Sequence, residues 1–343
     1  MRKTALLILP VALLLFSFSL RYDINESYDR TFSSYNAFYQ NEKEFNDPKA
    51  EFLFFLPSHK GLVYAVKKQN KEHNFEINYL SEVSLNPYKK VTIKLPENSS
   101  VVYADEKQIL YRHKLNFYRY NQITKCADRI NKEGTIMFEM LPISNTTAIC
   151  LGDIMEKNTN RHTFGFFLFD FERNEIDSVL KELHVSETNQ ALENSLKYTG
   201  KFIPNGHHIM YVHDFYGKIE LFDGDNGNFQ KEITTIDRVK EPEIVHYQNM
   251  YTYKRGTTFY SNSGGLIKDD YLYVFSCRPN DTEYIIVDQY LLETGKYNKS
   301  FKLKYQGKKS SNINYISYDS NKNFVLGFSN FYQGFTINLD QLR

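Results

Sequence analysis

Residues 209–227 read IMYVHDFYGKIELFDGDNG and contain two short apolar runs separated by a polar break. The first run is 209–212 and the second is 219–222, and a cluster of Asp, Gly and Asn follows. Short runs rich in aromatic and β-branched residues that alternate with turn residues are typical of antiparallel β-strands joined by tight turns. A third run at 229–233 completes the phrase, so the stretch predicts three consecutive antiparallel strands.

The same phrase occurs five more times, at intervals of roughly 40–60 residues, which is the repeat length of a four-stranded propeller blade. The last phrase ends after its third strand. We therefore predict an all-β chain, a six-bladed β-propeller of four-stranded antiparallel sheets that an N-terminal strand closes. The unequal intervals leave a β-sandwich, or two β domains, as alternatives. The other phrases begin at LVYAVKK (62–68), QILYRHK (108–114), TAICLGD (147–153), YLYVFS (271–276) and NFVLGFSN (323–330).

The N-terminal segment has a basic start at Arg2 and Lys3, followed by an apolar run. The run Leu6–Leu20 is shorter than the ~20 residues of a transmembrane helix, so residues 1–21 are predicted to be a signal peptide, with an uncleaved anchor as the alternative. Residues 22–50 form a polar lead-in that contributes to ring closure, and residues 51–343 form the propeller. The protein is therefore expected to be exported, either to the periplasm, to the medium or on the N-terminal anchor.

The phrases YLYVFS, IIVDQYLLETGKY and IMYVHDFYGKIELFDGDNG resemble those of TolB-like or NHL-like six-bladed propellers exported by Bacteroidetes. The resemblance covers about residues 51–343. It implies a six-bladed propeller in the cell envelope, and this group often carries a lipid anchor. No cysteine follows the apolar run here, which argues against lipid anchoring at that point.

Charge and cysteine content argue against nucleic-acid binding and against a dense disulfide framework. The chain has 42 Lys plus Arg and 41 Asp plus Glu, so no net positive charge favours nucleic-acid binding. The three cysteines form no CxxC motif. They are predicted to be buried free thiols, with a bridge between Cys126 and Cys150 as the alternative.

The turn FDGDNGNF (222–229) contains carboxylates at a spacing that suggests a calcium loop. Starting at Asp223, however, the EF-hand positions for a ligand, a glycine and a glutamate hold Gly227, Asn228 and Thr234, so the stretch is interpreted as a turn. His207, His208 and His213 are equally unsuited to one ion, because a strand of about 17 Å separates the two ends of that group. No metal and no cofactor are predicted.

Residues that end the first strand of each phrase should meet at one rim of the central channel, because equivalent loops of a propeller converge there. Arginines at this rim would bind an anionic or carboxylate group, and His213 with Asp214 would be the natural acid–base pair of an enzyme. The candidate ligand-binding residues are Arg112, His113, Asp153, His213, Asp214, Arg278 and Asn330.

The chain has no GxSxG, HExxH or GxxxxGK[ST] motif. We therefore predict a monomeric, non-enzymatic binding or scaffold module of the bacterial envelope, with an unknown protein or a small anionic ligand at the rim. The only expected membrane contact is through the N-terminal segment. The alternatives are a lyase or hydrolase acting on an anionic carbohydrate or peptide, and an anchored sensor ectodomain.

Overall fold

A computed structural model describes residues 30–37, 42–45, 50–58, 63–68, 73–81, 86–130, 134–156, 159, 161–248, 250–277, 284–304, 313–318, 323–328 and 332–336. The chain divides into two units, Met1–Arg30 and Thr31–Arg343. The predicted signal peptide, residues 1–21, lies outside the described residues. No helix among the described residues is both long and apolar enough to cross a membrane.

The first two strands pair with strands from the far end of the chain. Three antiparallel sheets of four strands then follow in chain order, and we number them first to third. Within each sheet the strands lie side by side in sequence order, as hairpin connections require. The N-terminal strands are β1 (Phe32–Ala37) and β2 (Glu42–Phe45). The first sheet contains β3 (Ala50–Leu56), β4 (Val63–Lys68), β5 (Asn74–Leu80) and β6 (Pro87–Lys94). The second contains β7 (Ser99–Ala104), β8 (Gln108–His113), β9 (Asn116–Asn121) and β10 (Ala127–Arg129). The third contains β11 (Thr135–Pro142), β12 (Thr147–Met155), β13 (His162–Asp170) and β14 (Glu175–Ser186).

A short helix and an extra hairpin flank the fourth sheet. The helix is α1 (Ala191–Lys197). The fourth sheet contains β15 (Gly200–Asn205), β16 (His208–His213), β17 (Lys218–Asp223) and β18 (Phe229–Thr234). The hairpin after it contains β19 (Ile244–Tyr247) and β20 (Met250–Tyr253).

The last two sheets each include one N-terminal strand. In the fifth sheet β1 runs parallel to the outer strand β24 (Tyr297–Lys304), and in the sixth sheet β2 runs antiparallel to β27 (Tyr332–Thr336). The fifth sheet contains β21 (Asn262–Lys268), β22 (Tyr271–Ser276), β23 (Tyr284–Leu291) and β24 (Tyr297–Lys304). The sixth contains β25 (Ile313–Tyr318), β26 (Asn323–Phe328) and β27 (Tyr332–Thr336).

The prediction of an all-β propeller built from four-stranded antiparallel sheets is confirmed. The prediction of six four-stranded blades is wrong: among the described residues five sheets have four strands, and the sheet of β21–β24 has five because β1 joins it. Counting phrases could not show this difference, since a repeat in the sequence does not indicate that a distant strand joins a sheet edge in parallel. The innermost strands β3, β7, β11, β15, β21 and β25 contact one another in that order.

Aromatic side chains fill the space between the third and fourth sheets. The ring of Phe166 lies 4.9 Å from that of Tyr211 and 5.0 Å from that of Phe222, in edge-to-face arrangements. All three rings are fully buried. The high content of Tyr and Phe therefore serves packing between neighbouring sheets.

The stretch FDGDNGNF forms the turn between β17 and β18. The Asp223 carboxylate accepts hydrogen bonds from the backbone N–H groups of Asp225 and Asn226, and Gly227 has a φ of +78°. The same turn position is left-handed in three other sheets, at Lys125, Asn174 and Gly295. The interpretation of this stretch as a hairpin turn is confirmed.

The three cysteines are free thiols. Cys150 and Cys277 are buried, as predicted, whereas Cys126 is exposed. Cys126 lies in the turn between β9 and β10, at an edge of the second sheet where little apolar surface covers it. The alternative of a bridge between Cys126 and Cys150 is therefore not formed.

Candidate functional site

The second strands β8, β12 and β16 all end at one face of the propeller, which we call the rim face. Arg112, His113 and His213 lie at the ends of these strands, Asp214 follows directly, and Asp153 lies near the end of β12. Arg278 and Asn330, the other two predicted rim residues, lie outside the described residues.

Two of the predicted residues have short-range partners within their own sheets. His113 Nδ1 lies 3.2 Å from Ser99 Oγ on the neighbouring strand. Asp153 is buried, and its carboxylate lies 2.8 Å from Nδ1 of His162. Both contacts link adjacent strands, so these side chains stabilise their sheets.

His213 points into the protein core. Its side chain is fully buried, and its Nε2 lies 2.7 Å from Oε2 of Glu220, whose other oxygen lies 3.1 Å from Lys181 Nζ. Burial acts to raise the pKa of Glu220, but His213 and Lys181 outweigh that effect and lower it. Successive side chains of a strand point to opposite sides, so His213 and Asp214 have different partners.

Asp214 faces the rim and is half-buried. Its Oδ1 lies 3.8 Å from Lys201 Nζ, and each of the two side chains keeps 24% of its surface exposed. Its backbone N–H donates to Thr199 O at 2.9 Å, and its backbone O accepts from Ser261 N at 2.7 Å, which fixes the residue between strands. Burial raises the pKa of Asp214, and Lys201 and His213 partly oppose this.

Glu139 is a second carboxyl group, near enough to Asp214 for the two to interact electrostatically. It lies on β11, the innermost strand of the third sheet, and is half-buried. Burial raises the pKa of Glu139 to about 7; Arg112 and Lys201 oppose this shift, and Asp214 adds to it. Glu139 is thus electrostatically coupled to charged groups of the second and fourth sheets.

Arg112 reaches across from the second sheet to β11. Its Nη1 donates a hydrogen bond to the backbone O of Phe138 at 3.4 Å. The pairing of β11 with β12 shifts register between Met137 and Glu139, so that Phe138 is an extra residue. A bulge of this kind redirects side chains and frees a backbone carbonyl, and bulges are common beside functional sites.

The sequence interpretation missed Glu139 and Lys201. Each lies on the innermost strand of its sheet, β11 or β15. The phrases that define the repeat begin only at the second strand, so the repeat did not include these two residues. A signal was nevertheless present, because each is a charged residue within an apolar strand, TIMFEMLP or GKFIPN. A charge is rarely buried in a strand unless it is paired or has a functional role.

Aromatic rings lie next to Asp214. The ring of Phe215 lies 4.6 Å from that of Tyr253 and 4.5 Å from that of Tyr260. Tyr253 also donates its hydroxyl to the backbone O of Leu196 at 2.9 Å, which ties the β19–β20 hairpin to α1. Asp214 is therefore bordered by an aromatic wall of Phe215, Tyr253 and Tyr260, of which the hairpin contributes Tyr253.

The hairpin and its flanking segments expose apolar side chains on the rim face. Tyr247 is 62% exposed and Met250 is 65% exposed. Tyr247 and Met250 lie opposite each other in the β19–β20 ladder, so their two exposed side chains share one face of the hairpin. Adjacent exposed apolar side chains mark interaction sites more often than scattered single residues do. We call this group the hairpin surface; it consists of Leu192, Val245, Tyr247, Met250, Tyr251, Phe259 and Tyr260.

Cys277 follows β22 at this face and is buried. Burial raises the pKa of the Cys277 thiol to about 12, so the residue is a neutral thiol rather than a nucleophilic thiolate. Among the described residues, no group of three or more His, Cys, Asp or Glu side chains could hold a metal ion.

Comparisons with known proteins give structural matches only: no family model matches the chain, and no curated protein does. Hsv2 of Kluyveromyces marxianus matches with 10% identity over 81% of this chain and 74% of that one, at a TM-score of 0.43. The Cps50 (Swd1) β-propeller domain of Myceliophthora thermophila matches with 7% identity over 88% and 100%, at 0.44. The acylaminoacyl peptidase of Pyrococcus horikoshii matches with 10% identity over 81% and 50%, at 0.39. These matches do not single out TolB-like or NHL-like propellers and carry no functional argument; the propeller architecture rests on the sheet topology.

Proposed function

We propose that this protein is a non-enzymatic β-propeller binding module that holds a partner protein on the hairpin surface. The observation that carries the proposal is the exposure of large apolar side chains on a segment outside the blades. Tyr247 and Met250 contribute almost nothing to the core, since most of their surface is in contact with solvent.

The hairpin is an insertion on a rigid scaffold. It lies between β18 and β21, and an isolated two-stranded hairpin is only marginally stable in water. Here it is supported by the Tyr253–Leu196 hydrogen bond, and at its base Lys197 Nζ lies 3.8 Å from Glu241 Oε1. Functional loops are commonly held in this way by the fold beneath them.

We further propose that the module acts outside the cytoplasm, exported through residues 1–21. The proposal is supported by the basic start and short apolar run of that segment. Mass spectrometry of the mature protein tests it: a start near Leu20 indicates cleavage, a start at Met1 indicates an anchored ectodomain, and cytoplasmic fractionation would contradict export.

Site-specific photo-crosslinking in the native host tests the binding function. A photoreactive phenylalanine analogue replaces Tyr247 or Met250 on the rim face. Tyr88, which is 62% exposed, and Ile123, which is 79% exposed, serve as controls. Both control positions lie near turns at the opposite face, because β5 and β9 run away from the rim face.

We expect a single discrete adduct from both hairpin positions and none from the two controls. The same adducts from all four positions would indicate non-specific contact and contradict the proposal. No adduct from any position would contradict it as well. Full-length protein that folds and accumulates to wild-type levels is required in every arm.

A further inference from the structure

We propose that Arg112 and Glu139 form a receptor for a small zwitterion, with a free α-amino acid as the simplest ligand. Its carboxylate would be bound by Arg112, and its ammonium group by Glu139. This inference goes beyond the proposed function, because it concerns a small molecule at the charged group and needs no partner protein on the hairpin surface.

The Arg112 side chain binds the backbone of Phe138, the residue that precedes Glu139. The charge of Arg112 acts on the pKa of Glu139, yet within the described part of the chain the side-chain hydrogen bond of Arg112 is to the Phe138 carbonyl, at 3.4 Å. Neither an ion pair nor a hydrogen bond joins Glu139 to any residue that the structure describes. A half-buried carboxylate and guanidinium left in this state retain most of their capacity to bind a ligand.

The balance of charge at the site selects the class of ligand. Arg112 and Lys201 carry positive charge, and Glu139 and Asp214 carry negative charge when ionised, so the group has no net charge. A simple cation would face two positive side chains, and a simple anion two negative ones. A zwitterion presents its carboxylate to the positive side chains and its ammonium group to the negative ones. The bidentate geometry of Arg suits a ligand carboxylate.

The aromatic wall gives the ligand side chain a place to pack. Phe215 follows Asp214 directly, and its ring contacts those of Tyr253 and Tyr260. Small-molecule sites commonly combine apolar walls with a few oriented polar groups. An amino acid with an aliphatic or aromatic side chain is therefore expected to bind more tightly than glycine.

Binding should depend on pH through Glu139. The groups that act on it are Arg112 from β8, Lys201 from β15, Asp214 after β16 and Tyr211 from β16. Burial raises the pKa of Glu139 to about 7, and an ammonium group prefers its ionised form. Affinity should therefore rise as the pH increases through about 7 and level off above it.

Isothermal titration calorimetry at pH 8 tests the proposal with glycine, L-leucine and L-phenylalanine. Each is paired with its decarboxylated amine and with its deaminated acid. We expect at least one amino acid to bind, and its amine and its acid each to bind roughly 10–100-fold more weakly, because each analogue loses one charged hydrogen-bonding partner.

Variants assign the site. Arg112→Gln and Glu139→Gln should each weaken binding roughly 10–100-fold, and Glu139→Gln should also abolish the rise in affinity with pH. Arg255→Gln and Glu243→Gln alter exposed residues that flank the β19–β20 hairpin, and they should change neither the affinity nor its pH dependence. Circular dichroism and thermal melting confirm that each variant is folded.

Three results would overturn the inference. The first is that none of the three amino acids binds at about 10 mM, a concentration above the dissociation constants of even weak specific complexes. The second is equal binding of the matching amine or acid. The third is binding that folded Arg112→Gln and Glu139→Gln proteins retain unchanged.

Discussion

The Arg112 guanidinium donates a hydrogen bond to the Phe138 carbonyl at 3.4 Å and forms no ion pair with Glu139, the next residue, although its charge opposes the rise in the pKa of that carboxyl group. The register shift at Phe138 explains this arrangement. It turns the Phe138 carbonyl towards Arg112 and leaves the Glu139 side chain on its own. The Arg112 guanidinium and the Glu139 carboxyl group thus lie on strands of two neighbouring sheets without forming a direct ion pair.

Glu139→Gln should stabilise the protein at pH 8. The pKa of Glu139 is raised from 4.5 to about 7, so the folded protein holds this proton more tightly than the unfolded chain. The wild type should therefore lose stability as the pH rises between these values, by up to about 3 kcal/mol. Urea unfolding at pH 5 and pH 8 measures the effect.

The stabilisation should be absent at pH 5, because the protonated carboxyl group and the amide are then equivalent in charge. The variant should keep the smaller pH dependence that comes from Asp214, whose pKa is raised in the same direction. Equal stability of variant and wild type at pH 8 would show that Glu139 is fully solvated.

Glu220→Gln should destabilise the protein by about 3–5 kcal/mol at pH 7, as expected when one partner of a buried ionic group is removed. Glu220 lies between His213 and Lys181 and is almost fully buried. The pKa of Glu220 is lowered in the folded protein. The wild type should therefore lose this stability as the pH falls from the usual pKa of a glutamate towards the lower pKa that Glu220 has in the folded protein.

The exposed pair Lys254–Glu243, at 2.6 Å, provides the matched control. Glu243→Gln should change the free energy of unfolding by less than about 1 kcal/mol. Chemical denaturation at pH 7 and pH 4 measures both variants. Similar losses for Glu220→Gln and Glu243→Gln would contradict the role of burial.

The shared turn position predicts opposite effects of two substitutions. Gly227→Ala should destabilise by about 1–2 kcal/mol, because a left-handed φ disfavours a side chain. A Cβ there would also meet the side chains of Ile143 and Leu168 at 3.0 Å. Lys125→Gly relieves the same conformation, at a φ of +58°, and should stabilise by up to about 1 kcal/mol.

Thermal unfolding measures both turn variants under one condition. A double variant should show additive effects, since the two turns lie in different sheets. If both single substitutions changed stability in the same direction, the equivalence of the two turns would be wrong.

Removal of the N-terminal strands should expose two sheet edges. A chain starting at Ala50 lacks β1 and β2, so β24 and β27 lose their pairing partners. We expect lower thermal stability and self-association, because unpaired edges bind other strands. Light scattering measures the association. A chain starting at Thr31 keeps both strands and should be monomeric; the same behaviour of both chains would contradict the pairing.

The strand pattern of the blades could be predicted because each hairpin is encoded locally. Runs such as 209–212 and turns such as 223–227 need only neighbouring residues to be recognised. The parallel pairing of β1 with β24 could not be predicted, since it joins segments that share no local pattern. The number of strands in a sheet depends on such long-range pairing.

The candidate site was only partly accessible from the sequence. Arg112 and Asp214 were selected because they end strands, and the end of a strand is visible in the pattern. Glu139 was missed because its position depends on a register shift within β11. His213 shows the converse limit: at the end of a strand, two successive residues face opposite sides, and the sequence alone did not show which side was the core.

The pairing of β1 and β2 with the last sheets has a consequence for the order of folding. The backbone N–H of Thr31 donates a hydrogen bond to the Tyr297 hydroxyl, 266 residues further along the chain, so β1 is synthesised long before its partner strand β24. Contacts so distant in sequence form slowly, because a long loop must close before they contribute. The middle sheets can assemble as they emerge, and the joining of the two ends is then the slow, final step of maturation.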